Sequence, residues 1–335
     1  MLSLLFLGDW YTEYAVDARA AVGEVPFVLN LEAPISRRGI PTPGKINLRM
    51  GDPHLLESFG RWPVAVCLAN NHIFDYGPSA LQDTLNYLME REIAFFGAGH
   101  VADNYHNPLL LTIDGEQVAL MGYVCDSTHP VPAEPGSGYG AAPLDLARIE
   151  ADIATARQRG ATRICLQLHW GTEQVLLPKP DDVRLACRLI DMGVDVIIGH
   201  HAHVAQPVNN LAQATVAYGL GNFVFAAKSL TKLFDDRLPV HKPYYPHERN
   251  LWSYGIMWWP RQRQTQAIRC RLRRGSVRPY TALSPLGLPI LKRFVSTRRS
   301  YEVLYRLQYR WDLLRYRVHQ RWSQLVSTAP TALPG

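Results

Sequence analysis

From residue 1 to about 225 the chain alternates short apolar runs with amphipathic stretches. That alternation restricts it to an α/β fold whose functional residues sit on loops at strand ends. Predicted strands cover 3–8, 26–31, 64–69, 93–96, 107–113, 117–124, 163–169 and 194–199, with more at 205–210, 214–219 and 252–258. Predicted helices cover 53–60, 78–91, 144–159 and 180–192. Pro78 and Pro180 suit a first helical turn, and Asp145 and Asp182 fall where the helix dipole favours an acid. Asp114-Gly115-Glu116 marks a hairpin between the runs at 107–113 and 117–124. Residues 127–143 and 226–250 read as long loops of the lid or binding type.

Five cysteines are scattered with no Cys-x-x-Cys pair, which argues against a disulfide framework and against a thiolate zinc site. Cys67, Cys125 and Cys165 lie in or beside apolar runs and read as buried structural thiols. The N-terminal apolar run is too short for a signal peptide, and no run is long enough to span a bilayer. The expected compartment is the cytoplasm.

The net charge of +6 conceals an asymmetry. Residues 260–335 carry 16 Lys/Arg against Glu302 and Asp312, a balance of +14, which leaves −8 for residues 1–259. The two parts are expected to differ in role, with 1–259 as the main domain and 260–335 as a basic extension. Within the extension, 297–326 has helical periodicity. Leu304, Leu307, Trp311, Leu314, Val318, Trp322 and Leu325 form one stripe, with arginines filling the other faces. Such a helix either docks on its own domain or lies on an anionic membrane surface as a peripheral anchor. No recognised nucleic-acid-binding module is present.

Five polar motifs each follow a predicted strand: Gly8-Asp9, Asn30-Leu31-Glu32, Ala69-Asn70-Asn71-His72, His169-Trp170-Gly171-Thr172-Glu173 and Gly199-His200-His201-Ala202-His203. Singly, an acid after a strand reads equally as a turn residue. Three imidazoles in four positions, directly after a buried-type strand, have little structural use and point to metal binding. His, carboxylate and amide donors together suit Mn, Fe or Zn. Two such ions about 3.5–4 Å apart clamp a phosphoryl group and lower the pKa of water between them, so no Ser or Cys nucleophile is required.

The string LANNHIFDYG from Leu68 to Gly77 resembles a hallmark of the bacterial capsule-synthesis (CapA/PgsA-like, poly-γ-glutamate) proteins. NLEAPIS, LHWGTE, GVDVIIGHHAHVAQPV and YGLGNFVF are similar to the same family, in the same order. The resemblance covers about residues 3–225. It implies a metallophosphatase-like two-sheet sandwich flanked by helices, related to the calcineurin-like enzymes, here with a basic C-terminal helix added. It further implies that Asp9, Glu32 and His203 hold one divalent ion, and that Glu32, Asn71, His169 and His201 hold a second, with Glu32 bridging. His72 would then be the general acid. Asp75 would either orient His72 or cap the following helix. Lys45 and Arg49 read as anion-binding residues or as solvated charges. Glu173 reads as a partner of a ligand or of the substrate, Asn222 as a substrate contact or turn residue, and Trp170 as packing beside the site. The wider superfamily has a His where this chain has Tyr11 and an Asp where it has Glu32; both differences are shared with the capsule family. His200 is a candidate replacement ligand.

The resulting expectation is a dinuclear metal-dependent hydrolase of capsule or cell-envelope polymer metabolism. Its substrate would be an anionic polymer or a phosphorylated small molecule, and its partners capsule-synthesis proteins. The rival expectation is a non-catalytic polymer- or partner-binding protein with a structural metal.

Overall fold

The computed structural model describes residues 3–226, apart from 104, 134–135, 174, 176 and 212–213, together with 267–271 and 276–280. The predicted strand at 252–258, nearly all of the 226–250 loop, the 259/260 division and the helix at 297–326 lie outside the described residues.

The first sheet has seven strands organised on β1 (Ser3–Thr12). One edge of β1 pairs in parallel with β2 (Phe27–Leu31). The other edge changes partner. Ser3–Phe6 pair antiparallel with β14 (Ala267–Arg271), whereas Asp9–Thr12 pair in parallel with β13 (Asn222–Ala226). Beyond β2 lie β3 (Ala65–Cys67) and β4 (Ala94–Phe96), and β15 (Ser276–Tyr280) pairs with β14. Two strands from beyond residue 259 are thus part of the first sheet.

The second sheet has six strands in the order β11 (Val208–Leu211), β12 (Ala214–Ala217), β10 (Val196–His200), β9 (Arg163–His169), β7 (Glu116–Val124) and β6 (Leu109–Ile113). Its four central strands are parallel and its two edges antiparallel. β5 (Ala98–His100) and β8 (Tyr139–Ala141) form a small separate ribbon. The helices are α1 (Arg19–Val22), α2 (Leu55–Phe59), α3 (Pro78–Met89), α4 (Leu146–Gln158) and α5 (Pro180–Asp191). None is long and apolar enough to cross a membrane.

Strand periodicity sorts the core into three layers. Leu4, Phe6, Val28 and Cys67 meet Leu120, Cys165 and Ile198 between the sheets. The alternate residues Leu5, Leu7, Leu29 and Val66 pack with Leu55, Phe59 and Leu81 of α2 and α3. On the far side, Met121, Leu166 and Ile197 pack with Ile149, Ile153 and Leu189 of α4 and α5. Both faces of each sheet are covered, so the central strands read as continuous apolar runs. The architecture is the expected two-sheet sandwich flanked by helices.

Local chemistry sets the element ends. Asp114 and Gly115 both have positive φ (50° and 79°) and place Ile113 opposite Glu116, a two-residue turn matched to strand twist. Pro78 and Pro180 open α3 and α5, and the Asp145 side chain accepts the Arg148 N–H at 2.8 Å to cap α4. Cys67 and Cys165 are buried and free, Cys125 is half-buried and free, and Cys187 is exposed.

Gly8 stands where β1 changes partner. A Cβ there would lie 2.0 Å from the Gly221 carbonyl oxygen, to which the Asp9 N–H donates at 3.0 Å. Gly8→Ala is expected to cost roughly 2–4 kcal/mol in urea denaturation. Gly51→Ala, which would meet only the Arg37 side chain at 3.9 Å, should stay within about 0.5 kcal/mol of wild type.

Burial raises the Asp182 carboxyl to about 6, above its usual 3.8. The folded state therefore holds this proton more tightly than the unfolded chain, and stability from this group falls as pH rises through that window. The stability of Asp182→Asn relative to wild type should accordingly improve between pH 4 and pH 8, by about 1–3 kcal/mol in thermal or urea unfolding.

Candidate metal centre

The C-terminal ends of parallel strands from both sheets meet at one buried rim. Asp9 lies in β1 beside a register shift, which re-aims its side chain. Glu32 follows β2, and Asn70, Asn71 and His72 follow β3. His169 ends β9 and His200 ends β10, directly opposite each other in register. His201 and His203 follow with φ of 79° and 54°, a left-handed conformation that costs a non-glycine residue roughly 1 kcal/mol or more and persists only where surroundings enforce it.

Asp9 is fully buried yet well supplied with donors. Its Oδ1 accepts from Asn30 Nδ2 at 2.9 Å and lies 2.8 Å from His200 Nδ1; its Oδ2 accepts the His201 N–H at 3.3 Å. Burial opposes its ionisation, but His200, His203 and Asn30 outweigh burial and hold it below the usual carboxylate range.

Glu32 is the opposite case. It is fully buried, and neither oxygen accepts a hydrogen bond among the described residues. Its Oε1 faces two imidazoles, 3.6 Å from His169 Nε2 and 3.6 Å from His203 Nε2. Burial first, then the charges of Asp9 and Glu173 and the closeness of the Asp9 carboxyl as a partner for a shared proton, push its carboxyl well above the usual range, with Lys45 opposing.

The remaining candidate ligands close the rim. His169 Nε2 is 2.9 Å from Asn71 Oδ1. The His201 ring lies 4.9 Å from that of His169 and 6.1 Å from that of His203, and neither of its buried nitrogens has a hydrogen-bond partner among the described residues. Burial holds His169 and His201 well below the usual imidazole range. Ligand atoms of Asp9, Glu32 and His169 all lie within 4.8 Å of one another. The structure thus brings together all six residues singled out as metal ligands. Buried, unbonded donors from carboxylate and neutral imidazole are what a divalent cation would satisfy.

The surroundings of the other candidate residues are as follows. His200 is not available as an extra ligand: its Nδ1 is engaged by Asp9 and its Nε2 lies 3.0 Å from Gln167 Oε1. Asn222 belongs to β13 and is buried, with Oδ1 2.7 Å from His203 Nδ1, which places it as a partner of that ring. Lys45 is buried and paired with Asp75, so it offers no solvated cation. Asp75 does not cap α3, whose N-cap is Gly77; its Oδ2 lies 2.6 Å from His72 Nδ1 and accepts the Leu48 N–H at 2.7 Å. Arg49 is exposed and stacks over the Tyr76 ring at 4.5 Å. Glu173 is half-buried close to Glu32. Trp170 packs against Tyr218 and donates to its carbonyl at 2.8 Å. Tyr11 turns its hydroxyl to Glu13 at 3.2 Å.

Asn30, Asn70 and Gln167 were missed as site residues. Asn70 Nδ2 donates to Leu31 O at 2.9 Å and to Asn30 Oδ1 at 3.2 Å, and its Oδ1 accepts the His72 N–H at 3.1 Å. Their signal was position: Asn30 and Asn70 are inside the quoted motifs, and Gln167 shares a strand face with His169.

An α/β sandwich whose two sheets deliver carboxylate, amide and imidazole groups to one dry rim defines a class of protein with a candidate metal centre at its strand ends. The chain belongs to the bacterial capsule synthesis family, since the family model described as "Bacterial capsule synthesis protein PGA_cap" matches residues 12–227. It is 32% identical over 161 residues to the capsule biosynthesis protein CapA of Bacillus anthracis, covering 47% of this chain and 39% of that protein. It is 30% identical over 207 residues to a probable polyglutamine synthesis accessory protein of Mycobacterium tuberculosis, covering 59% and 54%. The chain therefore spans about half or less of the length of these relatives. A calcineurin-like phosphoesterase of Bacillus subtilis aligns in structure with a TM-score of 0.39 and 15% identity, covering 63% of this chain and 74% of that one.

Asn222→Ala is expected to weaken Zn2+ or Mn2+ binding about 10- to 100-fold, because His203 loses the partner that fixes its ring. Titration of chelator-treated protein measures this, and unchanged affinity would place the ion away from His203.

Proposed function

We propose that the chain is a divalent-metal-dependent hydrolase acting on a phosphoester or amide-like bond in capsule or poly-γ-glutamate-type polymer metabolism. The observation that carries this reading is Glu32: a buried carboxyl group without a hydrogen bond among the described residues, facing two imidazole nitrogens at 3.6 Å each. Family membership supplies the biological setting. Asp9, Glu32 and His203 would hold one ion, and Glu32, Asn71, His169 and His201 the other. Mn, Fe and Zn all suit this donor set. Such ions, when bound, polarise a substrate oxygen and acidify water.

The chain's own groups position and protonate. Asp75 holds His72 through Nδ1, which leaves Nε2 as the atom that would take up a proton and, once the ring carries both protons, hand it to the leaving group. The exposed Arg49, braced on Tyr76, would attract an anionic polymer or a phosphorylated small molecule. Contacts with other capsule-synthesis proteins, and with membrane lipid through residues 297–326, belong to the same proposal.

A second reading, a non-catalytic accessory protein with a structural ion, is favoured by Tyr11, whose hydroxyl points to Glu13. Turnover of phosphomonoester, phosphodiester and γ-glutamyl substrates with Mn, Fe and Zn separates the two. His72→Gln should lower kcat about 100-fold or more with metal content unchanged. His201→Ala and His203→Ala should each lose bound metal by elemental analysis. Full metal content in both of these variants would remove the site assignment, and no turnover with any metal would leave the accessory role.

A further inference from the structure

Lys45 is the one lysine among the described residues whose side chain is wholly buried. It comes from the loop between β2 and α2, yet its ammonium reaches the turn after β3. Nζ donates to the backbone carbonyl of Asn71 and to Asp75 Oδ1, and it lies 3.5 Å from His72 Nδ1. The other oxygen of Asp75 holds His72 Nδ1 and the Leu48 N–H, so this carboxylate is clamped from both sides of the same loop. A second strap runs alongside: the Thr42 N–H and hydroxyl both bond the Asp75 carbonyl, at 2.8 and 3.1 Å.

We propose that Lys45 is a positioning residue and not a substrate contact: its buried ammonium ties the Asn71 backbone to the Asp75 carboxylate and so fixes the orientation of the His72 ring. One cation thereby sets two groups of the site together. Asn71 carries the amide oxygen that faces His169 Nε2, and His72 is the next residue. Two of the three ammonium N–H groups are taken by a carboxylate and a carbonyl, and the side chain has no exposed surface, whereas a substrate-binding lysine needs to reach the open site. The acid role of His72 rests on the hydrolase reading above; the Lys45 contacts stand without it.

Full-length protein labelled with [15N]histidine tests this by NMR in the Zn2+-loaded form. The His72 ring is identified by its loss in His72→Gln. Wild type should show a single tautomer protonated at Nδ1. Lys45→Met should convert it to a mixture of tautomers. On any substrate the wild type turns over, kcat should fall about 10-fold or more while KM stays within about 2-fold. If Lys45→Met does not fold, Lys45→Gln carries the same readout. Its amide reaches Asp75 or the Asn71 carbonyl but not both, and the same change is expected at smaller amplitude. In native wild type, Lys45 should also resist acetylation by acetic anhydride and react only after denaturation, as read by mass spectrometry. An unchanged His72 signature in a folded Lys45 variant, a raised KM with unchanged kcat, or rapid native acetylation of Lys45 would each overturn the proposal. If wild type turns over nothing, the hydrolase reading fails, while the ring signature and the acetylation still decide the role of Lys45.

Discussion

A carboxylate sealed between two β-sheets without a hydrogen bond is costly unless a positive charge sits beside it. Glu32 is that group: burial and the neighbouring acids favour its protonated form, and a cation beside it would favour the ionised one, with the rest of the site arranged around it. Asp9, its neighbour across the rim, has Asn30, the His200 ring and the His201 N–H as donors. Glu32 has instead two neutral-type imidazole nitrogens at a distance that leaves room for something between. The contrast between two buried acids, one supplied with donors and one facing two imidazoles, marks where a cation would sit.

The fold delivers this arrangement by devices that cost stability. β1 exchanges β14 for β13 part-way along its edge, which needs a residue without a Cβ at Gly8. His201 and His203 take up left-handed backbone so that consecutive loop residues turn inward. Gly199 lies so close to Tyr218 that a side chain there would strike its carbonyl oxygen at 1.8 Å. Around these points a layer of amides and imidazoles, Asn30, Asn70, Gln167, His200 and Asn222, holds the candidate ligands in register. Strain at the rim is offset by three well-packed apolar layers.

Much of this was legible in the sequence because the central strands are apolar on both faces and the helices are long enough to show their period. β9 and the four longer helices fall at or within a few residues of their expected bounds. β5, β8 and α1 were not anticipated, since three or four residues carry no measurable periodicity. β14 and β15 were hidden in an arginine-rich stretch that composition assigns to a separate extension. The candidate ligands announced themselves as a set, through residue type and place after strands. Their supporting residues did not, because sequence gives no sign of which amide meets which imidazole: Gln167 and His200 are 33 residues apart, Asn222 and His203 only 19. Lys45 shows the same gap: a charge in a loop reads as solvated until its depth is known.

The most direct test of a cation held at Glu32 is the thermal midpoint of chelator-treated protein with increasing Mn2+ or Zn2+, for wild type and for Glu32→Gln. An ion bound only by the folded chain raises that midpoint with concentration. Wild type should show a saturable rise and Glu32→Gln little or none. No rise in wild type, or an equal rise in both proteins, would contradict the account.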